Sequence, residues 1–140
     1  LRDLGGEVAD TYNVRALRDL AAIDNSKART FLEFGKARMA QRKLAEAESQ
    51  FVAALQLDPT LFEAWANLAP VLQKLERFDE AIAAYESALR LKPDSVATRF
   101  NLGIAHLESG ATEAAERVAE EVSATHPDWA QRLRDLIQRR

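Results

Sequence analysis

The sequence contains no cysteine and few of the residues that interrupt helices. Without cysteine among its 140 residues, the chain cannot form a disulfide, a thiolate nucleophile or a cysteine-ligated metal site. Only five glycines and four prolines occur, whereas alanine, leucine, glutamate and arginine are abundant, and such a composition favours helices. Cysteine-free proteins fold in either redox environment, so the compartment stays unknown, with the cytoplasm favoured over the periplasm.

The sequence also lacks a long apolar run and an excess of one charge. No stretch approaches the roughly 18–20 apolar residues of a transmembrane helix, so we expect no membrane insertion. The net charge of −3 gives no reason to expect nucleic acid as a partner. The chain begins at Leu1 rather than at methionine, and we therefore expect a processed protein or a segment of a longer one.

Motifs of known catalytic centres are missing as well. The chain has no glycine-rich phosphate loop, no nucleophile elbow and no HExxH motif. His106 and His126 are the only histidines, and neither has a partner at a convincing metal-ligand spacing. We therefore expect a protein that is not an enzyme and that carries no cofactor or metal.

What the sequence does contain is a repeat of 34 residues. Pro59, Pro93 and Pro127 are evenly spaced at this period, which is typical of stacked helical hairpins. In each copy, large and small residues alternate at helical spacing, so that two helices can approach closely. The first halves contain Phe31, Phe34 and Gly35; Trp65, Leu68 and Ala69; and Arg99, Leu102 and Gly103. The second halves contain Ala47, Phe51 and Ala54; Ala81, Tyr85 and Ala88; and Ala115, Ala119 and Val122.

Each repeat ends at its proline, which cannot continue a helix because it lacks an N–H group. Residues that can accept the first N–H groups of the next helix follow at once. Thr60 and Glu63 have the spacing of a capping box, and Asp94 and Asp128 can act in the same way. The sequence therefore predicts helical hairpins over residues 28–61, 62–95 and 96–129.

This pattern resembles the tetratricopeptide repeat over residues 28–129. The resemblance implies an all-α fold in which three helix-turn-helix repeats form a right-handed superhelical solenoid. Residues 130–140 carry four arginines and no aromatic residue, and we expect them to form a C-terminal capping helix rather than an RNA-binding segment. Residues 1–27 are expected to form a linker and a helix, which one interpretation makes a degenerate repeat. Arg99 and Ala119 replace the usual large residues, so we expect looser packing in the third repeat.

In this family the first helix of each repeat lines a concave groove, and the resemblance implies that the groove binds a peptide. Asn67 and Asn101 occupy the same position in successive repeats. A side-chain amide both donates and accepts hydrogen bonds, so this pair can hold the backbone of an extended peptide, although Glu33 interrupts the row. The alternative is that asparagine is simply common at this position.

Further groove positions carry apolar side chains, a lysine and a proline. Leu32, Phe100 and Ile104 can receive apolar side chains of a partner, or they are core residues covered by the terminal helices. Lys36 lies on the same predicted wall. Pro70 frees the carbonyl group of residue 66, which either serves a ligand or marks a tolerated kink.

The resemblance also implies which partner to doubt. Of the groove positions with which family members grip the acidic tails of heat-shock chaperones, only Asn67 matches, so we do not expect such tails to bind. We predict a non-catalytic protein–protein interaction module that binds an extended or helical peptide of a protein partner. Two alternatives stay open: a regulatory or substrate-recruiting segment of a larger enzyme, and an assembly scaffold that forms homo-oligomers.

Overall fold

The computed structural model describes residues 25–140, which form seven helices and no strand. Helix α1 covers residues 25–40. The others are α2 (Leu44–Leu57), α3 (Phe62–Lys74), α4 (Phe78–Leu91), α5 (Val96–Glu108), α6 (Thr112–Ser123) and α7 (Pro127–Gln138). The predicted all-α fold is thus confirmed. A linker and a helix are predicted for residues 1–27; residues 1–24 lie outside this description, and residues 25–27 belong to α1.

The helices form consecutive antiparallel hairpins, because only three or four residues separate one helix from the next. Helix α3 contacts α2 and α4, α5 contacts α4 and α6, and α7 contacts α6 and α5. Helices α3 and α5 begin at Phe62 and Val96, one period apart, and α4 and α6 begin at Phe78 and Thr112. Repeats one, two and three are therefore the pairs α1–α2, α3–α4 and α5–α6, and α7 follows as a single helix.

The turn inside each hairpin places one residue in the left-handed region. This residue is Arg42 (φ 60°), Glu76 (φ 60°) and Gly110 (φ 90°) in the three repeats. In the third turn, the N–H of Ala111 donates to the carbonyl oxygen of His106 at 2.8 Å, and the corresponding bonds close the other two turns. Only the third repeat uses glycine there, so the first two turns carry a backbone strain of about 1 kcal/mol each.

The predicted capping box does not form. Helix α3 has Leu61 at its N-cap position, and no side chain accepts a hydrogen bond there. The hydroxyl group of Thr60 instead donates to Asp58 Oδ1 at 2.6 Å. Thr60 thus lies in the turn, one residue before the N-cap position of α3.

Asp94 and Asp128 do not cap their helices either. The N-cap residue of α5 is Ser95, whose hydroxyl oxygen accepts from the N–H of Thr98 at 3.4 Å. Asp128 lies inside α7, which begins at Pro127. Proline fits the first turn of a helix because its missing N–H is not needed there. The third proline of the repeat thus starts a helix three residues before the predicted boundary at residue 130.

Buried side chains form two clusters. The larger one extends from α1 to α5 and includes Phe51 and Tyr85. The smaller one lies between α5, α6 and α7 and contains Phe100, Val118, Ala119 and Leu133. The close approach predicted for repeat one is present: a Cβ atom on Gly35 would lie 2.5 Å from Phe51 Cε1, so this position accepts no side chain without a shift of the ring.

One predicted core residue is exposed. Phe34 of α1 is 54% exposed, whereas Leu68 and Leu102, which stand one and two periods later, are only 6% and 8% exposed. Helices α2 and α4 of the preceding repeats contact α3 and α5 and bury that face. Among residues 25–140, no helix precedes α1, and its equivalent face is therefore open.

Candidate functional site

Side-chain contacts place the first helices of the three repeats next to one another. Lys36 Nζ of α1 lies 3.9 Å from Glu63 Oε2 of α3, and Gln73 Nε2 of α3 donates to Glu108 Oε1 of α5. We call the shared face of α1, α3 and α5 that bears the predicted site residues the groove wall. Its members are Glu33, Lys36, Glu63, Asn67, Pro70, Asn101 and Ile104.

The helical period brings the predicted residues to one face of each helix. In α3, Glu63, Asn67 and Pro70 follow at intervals of four and three residues, and such residues lie above one another on a helix. Asn101 and Ile104 have the same relation in α5. The two asparagines therefore occupy equivalent places on neighbouring helices.

The two asparagines differ in their hydrogen bonding. Asn67 is partly exposed, and its Nδ2 donates to the carbonyl oxygen of Glu63 in its own helix at 2.7 Å. Asn101 is exposed, and its side chain makes no hydrogen bond to another residue in the described part of the chain. Asn101 thus has its whole amide available, whereas Asn67 keeps its oxygen and one N–H.

Lys36 is the centre of the charges on the α1 side of the groove wall. Its Nζ lies 3.4 Å from Glu33 Oε1, besides the contact with Glu63 at 3.9 Å. Exposed ion pairs of this kind contribute at most about 1 kcal/mol, so a ligand can replace either of them at little cost.

Pro70 lies within α3, which continues without a break from Phe62 to Lys74. Because proline has no N–H, the carbonyl oxygen of Ala66 does not receive the hydrogen bond that closes a helical turn. Ala66 and Pro70 are both partly exposed. The groove wall therefore offers a backbone acceptor one residue before Asn67.

Two of the predicted groove residues are core residues instead. Leu32 is 1% exposed and belongs to the larger cluster, and Phe100 is 6% exposed in the smaller one. Trp129 of α7 contacts Phe100 edge to face, with the ring centroids 5.0 Å apart. The prediction that these two residues receive a partner's side chains is wrong, because the fold already buries them. Ile104 is partly exposed beside Phe100 and stays accessible.

Sequence reasoning missed a hydrogen-bond network that joins three helices. The Tyr85 hydroxyl group donates to Gln73 Oε1 at 2.8 Å, while Gln73 Nε2 donates to Glu108. Burial, together with the charge of Glu108, raises the pKa of Tyr85 above its ordinary value, so the phenol stays protonated. A Gln and a Glu 35 residues apart carry no sequence signal of this pairing by themselves.

Other chemistry is sparse in the described residues. Burial lowers the pKa of His106, with opposing effects from the charges of Glu86 and Arg117. No group of three or more His, Cys, Asp or Glu side chains within residues 25–140 is placed to hold a metal ion. None of the described helices combines the length and the apolar character that a bilayer crossing requires.

Sequence comparison identifies relatives of this chain. Residues 72–139 match the sequence model of the tetratricopeptide repeat. The peroxisomal targeting signal receptor of Komagataella phaffii is 37% identical over 93 residues, which are 66% of this chain and 16% of that protein. Human DnaJ homolog subfamily C member 3 is 31% identical over 103 residues, or 74% of this chain and 20% of that protein. The chain thus spans a fifth or less of the length of these relatives.

Solved structures share the arrangement of helices. The Arabidopsis OM64 TPR domain superimposes with a TM-score of 0.75 at 15% identity, covering 83% of this chain and 98% of that one. The first TPR of Spaghetti (RPAP3), bound to the HSP90 peptide SRMEEVD, gives a TM-score of 0.74 at 22% identity, covering 82% and 93%. These structural matches show that the chain has this fold. The match of residues 72–139 to the sequence model of the tetratricopeptide repeat, together with the 34-residue period and the paired helices, identifies the chain as a tetratricopeptide repeat protein.

Proposed function

We propose that this chain is a non-catalytic protein-interaction module that binds an extended peptide of a partner along the groove wall. The observation that carries the proposal is the placement of Asn67 and Asn101 at equivalent positions of α3 and α5, with the whole amide of Asn101 unengaged. Asparagine side chains so placed can pair with successive backbone groups of a peptide, independently of its side chains.

Neighbouring groups support the same use of this face. The free carbonyl oxygen of Ala66 adds an acceptor for a peptide N–H, and the partly exposed Ile104 adds an apolar contact. Lys36 can leave Glu33 or Glu63 to meet a charged group of the ligand. A peptide bound there would contact all three repeats.

The relatives support a peptide as the class of partner. One is named as a receptor for a peroxisomal targeting signal, and one structural neighbour holds the HSP90 peptide SRMEEVD. In this chain, Leu32 stands at one of the positions that grip chaperone tails in the family, and it is buried. We therefore expect the peptide SRMEEVD to bind more weakly than peptides selected for this groove. It serves as the reference peptide in the affinity measurements.

The test is a selection of random peptides with free C termini against the 140-residue chain. The affinity of the tightest peptide is then measured by fluorescence anisotropy with wild type and with Asn67→Ala/Asn101→Ala. Loss of two or more backbone hydrogen bonds is expected to weaken binding about tenfold or more. The matched control is Gln56→Ala/Gln138→Ala, which removes two exposed amides that lie outside the groove wall. Equal affinity of both double variants would show that the asparagines do not bind the peptide.

Assembly has one observation in its favour, the open face of α1 around Phe34. A second copy that placed a helix there would bury this ring, as α2 buries Leu68 in the next repeat. Sedimentation equilibrium tests this candidate: a wild-type dimer that Phe34→Ser converts to a monomer would support assembly. A wild-type monomer across the accessible concentrations would contradict it.

A further inference from the structure

Arg132 of α7 is held in place by two aromatic rings. Its guanidinium carbon lies 5.3 Å from the ring centroid of Phe100 and 5.3 Å from that of Trp129. The two rings meet at an interplanar angle of 79°. A guanidinium group that lies over aromatic rings gains cation–π attraction, and these contacts restrict its side chain. Arg132 is therefore oriented before any ligand arrives.

The hydrogen-bond donors of Arg132 are nevertheless unused. Arg99 and Arg134 form ion pairs with Glu121 at 3.1 Å and with Glu120 at 3.3 Å. Arg132 is exposed and forms no ion pair or side-chain hydrogen bond with any residue between 25 and 140. Its N–H groups are therefore available to donate to a ligand.

The geometry of α7 directs Arg132 toward the groove wall. Leu133 is buried against Gly103 of α5, and residues before and after it point about 100° to either side. Arg134 lies on the side of α6, where it meets Glu120. Arg132 lies on the opposite side, over Phe100. Ile104 of the groove wall, one turn further along α5, packs against the cluster that contains Phe100. Arg132 therefore stands where the groove wall meets α7.

We propose that Arg132 binds a carboxylate group of the peptide and so fixes the end of the ligand that lies next to α7. This inference rests on the proposed function. A guanidinium edge and a carboxylate match as two parallel charge-assisted hydrogen bonds. The carboxylate belongs to an aspartate or glutamate side chain or to the C terminus of the peptide. One arginine without an ion pair matches one negative charge, whereas a polyanion would also meet Glu63 of the groove wall and Glu108 at the end of α5.

The experiment uses the peptide selected above and three single variants of the chain. Arg132→Gln is expected to weaken its binding about tenfold, which corresponds to the loss of one charge-assisted pair. Arg132→Lys keeps the charge without the planar edge and is expected to fall between this variant and wild type. The matched control is Arg134→Gln, two residues later on the same helix and facing α6. This variant is expected to bind the peptide as wild type does. Circular dichroism establishes that each variant is folded.

Two peptide series identify the source of the carboxylate. One carries a C-terminal amide, and the other replaces each aspartate or glutamate by its amide counterpart. The peptide change that removes the bound carboxylate is expected to weaken binding to wild type by the same factor as Arg132→Gln does. It should weaken binding to the Arg132→Gln variant no further, because both changes remove the same interaction.

The outcomes separate this inference from the function on which it rests. Binding that depends on Asn67 and Asn101, but not on Arg132 or on any carboxylate, overturns the inference and leaves the groove function standing. Selection of no peptide, or binding that ignores the asparagines, overturns both.

Discussion

Repeats two and three have the same period, yet their cores are completed in different ways. In repeat two, the large residue of the second helix is Tyr85, which is 2% exposed and reaches Gln73 of α3. In repeat three, the equivalent residue is the small Ala119. Helices α5 and α6 therefore place no large side chain at this position of their core. A missing core residue of one repeat is supplied by the next helix along the chain.

That helix is α7, and the residue is Leu133. A Cβ atom on Gly103 would lie 2.6 Å from Leu133 Cδ2. At the equivalent Gly35, a Cβ atom would instead meet Phe51, which belongs to the same repeat as that glycine. Leu133 and Ala119 are both fully buried. The looser packing expected for repeat three is therefore not found at these positions, and α7 forms part of its core.

The position of Trp65 shows a second replacement. Trp65 Nε1 donates to the carbonyl oxygen of Pro59 at 2.8 Å. One period later, Arg99 Nη2 donates to the carbonyl oxygen of Pro93 at 2.6 Å. The indole and the guanidinium thus make the same bond to the proline that joins two repeats, and Arg99 adds an ion pair with Glu121 of α6.

The largest expected effect comes from Leu133→Ala. Removing a fully buried leucine leaves a cavity, and we expect the free energy of unfolding to fall by about 3 kcal/mol. Urea denaturation measures the loss, and hydrogen exchange should show it in α5 and α6 before α3 and α4. Leu136→Ala, at a half-buried site in the same helix, is the control and should cost less. A loss spread equally over both repeats would contradict the role given to α7.

Alanine substitutions at the buried positions Gly35 and Gly103 distinguish a core completed within its own repeat from one completed by α7. In Gly35→Ala the new methyl group meets the rigid ring of Phe51, and overpacking costs about 1–3 kcal/mol. A gain in helix propensity of about 1 kcal/mol offsets part of this cost. In Gly103→Ala the methyl group meets mainly the end of a flexible leucine and, at 3.1 Å, Val118 Cγ1, so we expect a smaller loss than for Gly35→Ala. Thermal unfolding of both variants measures the two changes in stability. Equal losses of stability would mean that Leu133 is held as rigidly as Phe51.

Tyr85→Phe tests the network of repeat two and its dependence on pH. At neutral pH the lost hydrogen bond costs about 1 kcal/mol. The pKa of Tyr85 is raised in the folded chain, so the folded state resists deprotonation while the unfolded state loses its proton near pH 10. Wild-type stability is therefore expected to fall as the pH rises above about 10, and the variant should lack this part of the fall. Urea midpoints across that range measure it, and parallel curves would contradict a raised pKa.

The smallest expected effect is that of Arg99→Met. The variant loses the bonds to Pro93 and Glu121 at a partly exposed site, and we expect a loss of about 0.5–1 kcal/mol. Arg90→Met is the control, because the guanidinium of Arg90 donates only to the hydroxyl group of Ser87 on its own helix. Thermal unfolding compares the two. Equal midpoints would show that the joint between repeats two and three does not depend on Arg99.

Much of the fold follows from the sequence because its signals are local. The even spacing of Pro59, Pro93 and Pro127 and the alternation of large and small residues predict the paired helices. The conformation inside the turns does not follow from the sequence, since Arg42 and Glu76 adopt positive φ although neither residue type signals it. The predicted capping residues are wrong because the helices begin at other residues: the N-cap positions belong to Leu61, Ser95 and His126. Periodicity does not fix the first residue of a helix.

For the candidate site, the sequence by itself determined which side chains share a face, because a helix of 3.6 residues per turn fixes their directions. Asn67, Asn101, Lys36 and Glu33 are accessible or partly accessible on that face for this reason. Only the tertiary structure decided which apolar residues stay open: Leu32 and Phe100 are buried by contacts with other helices. It alone also placed Leu133 in the core of repeat three and Arg132 over two rings, since both depend on the early start and docking of α7. Periodicity gives the direction of a side chain along its own helix, whereas burial depends on which other helix lies in that direction.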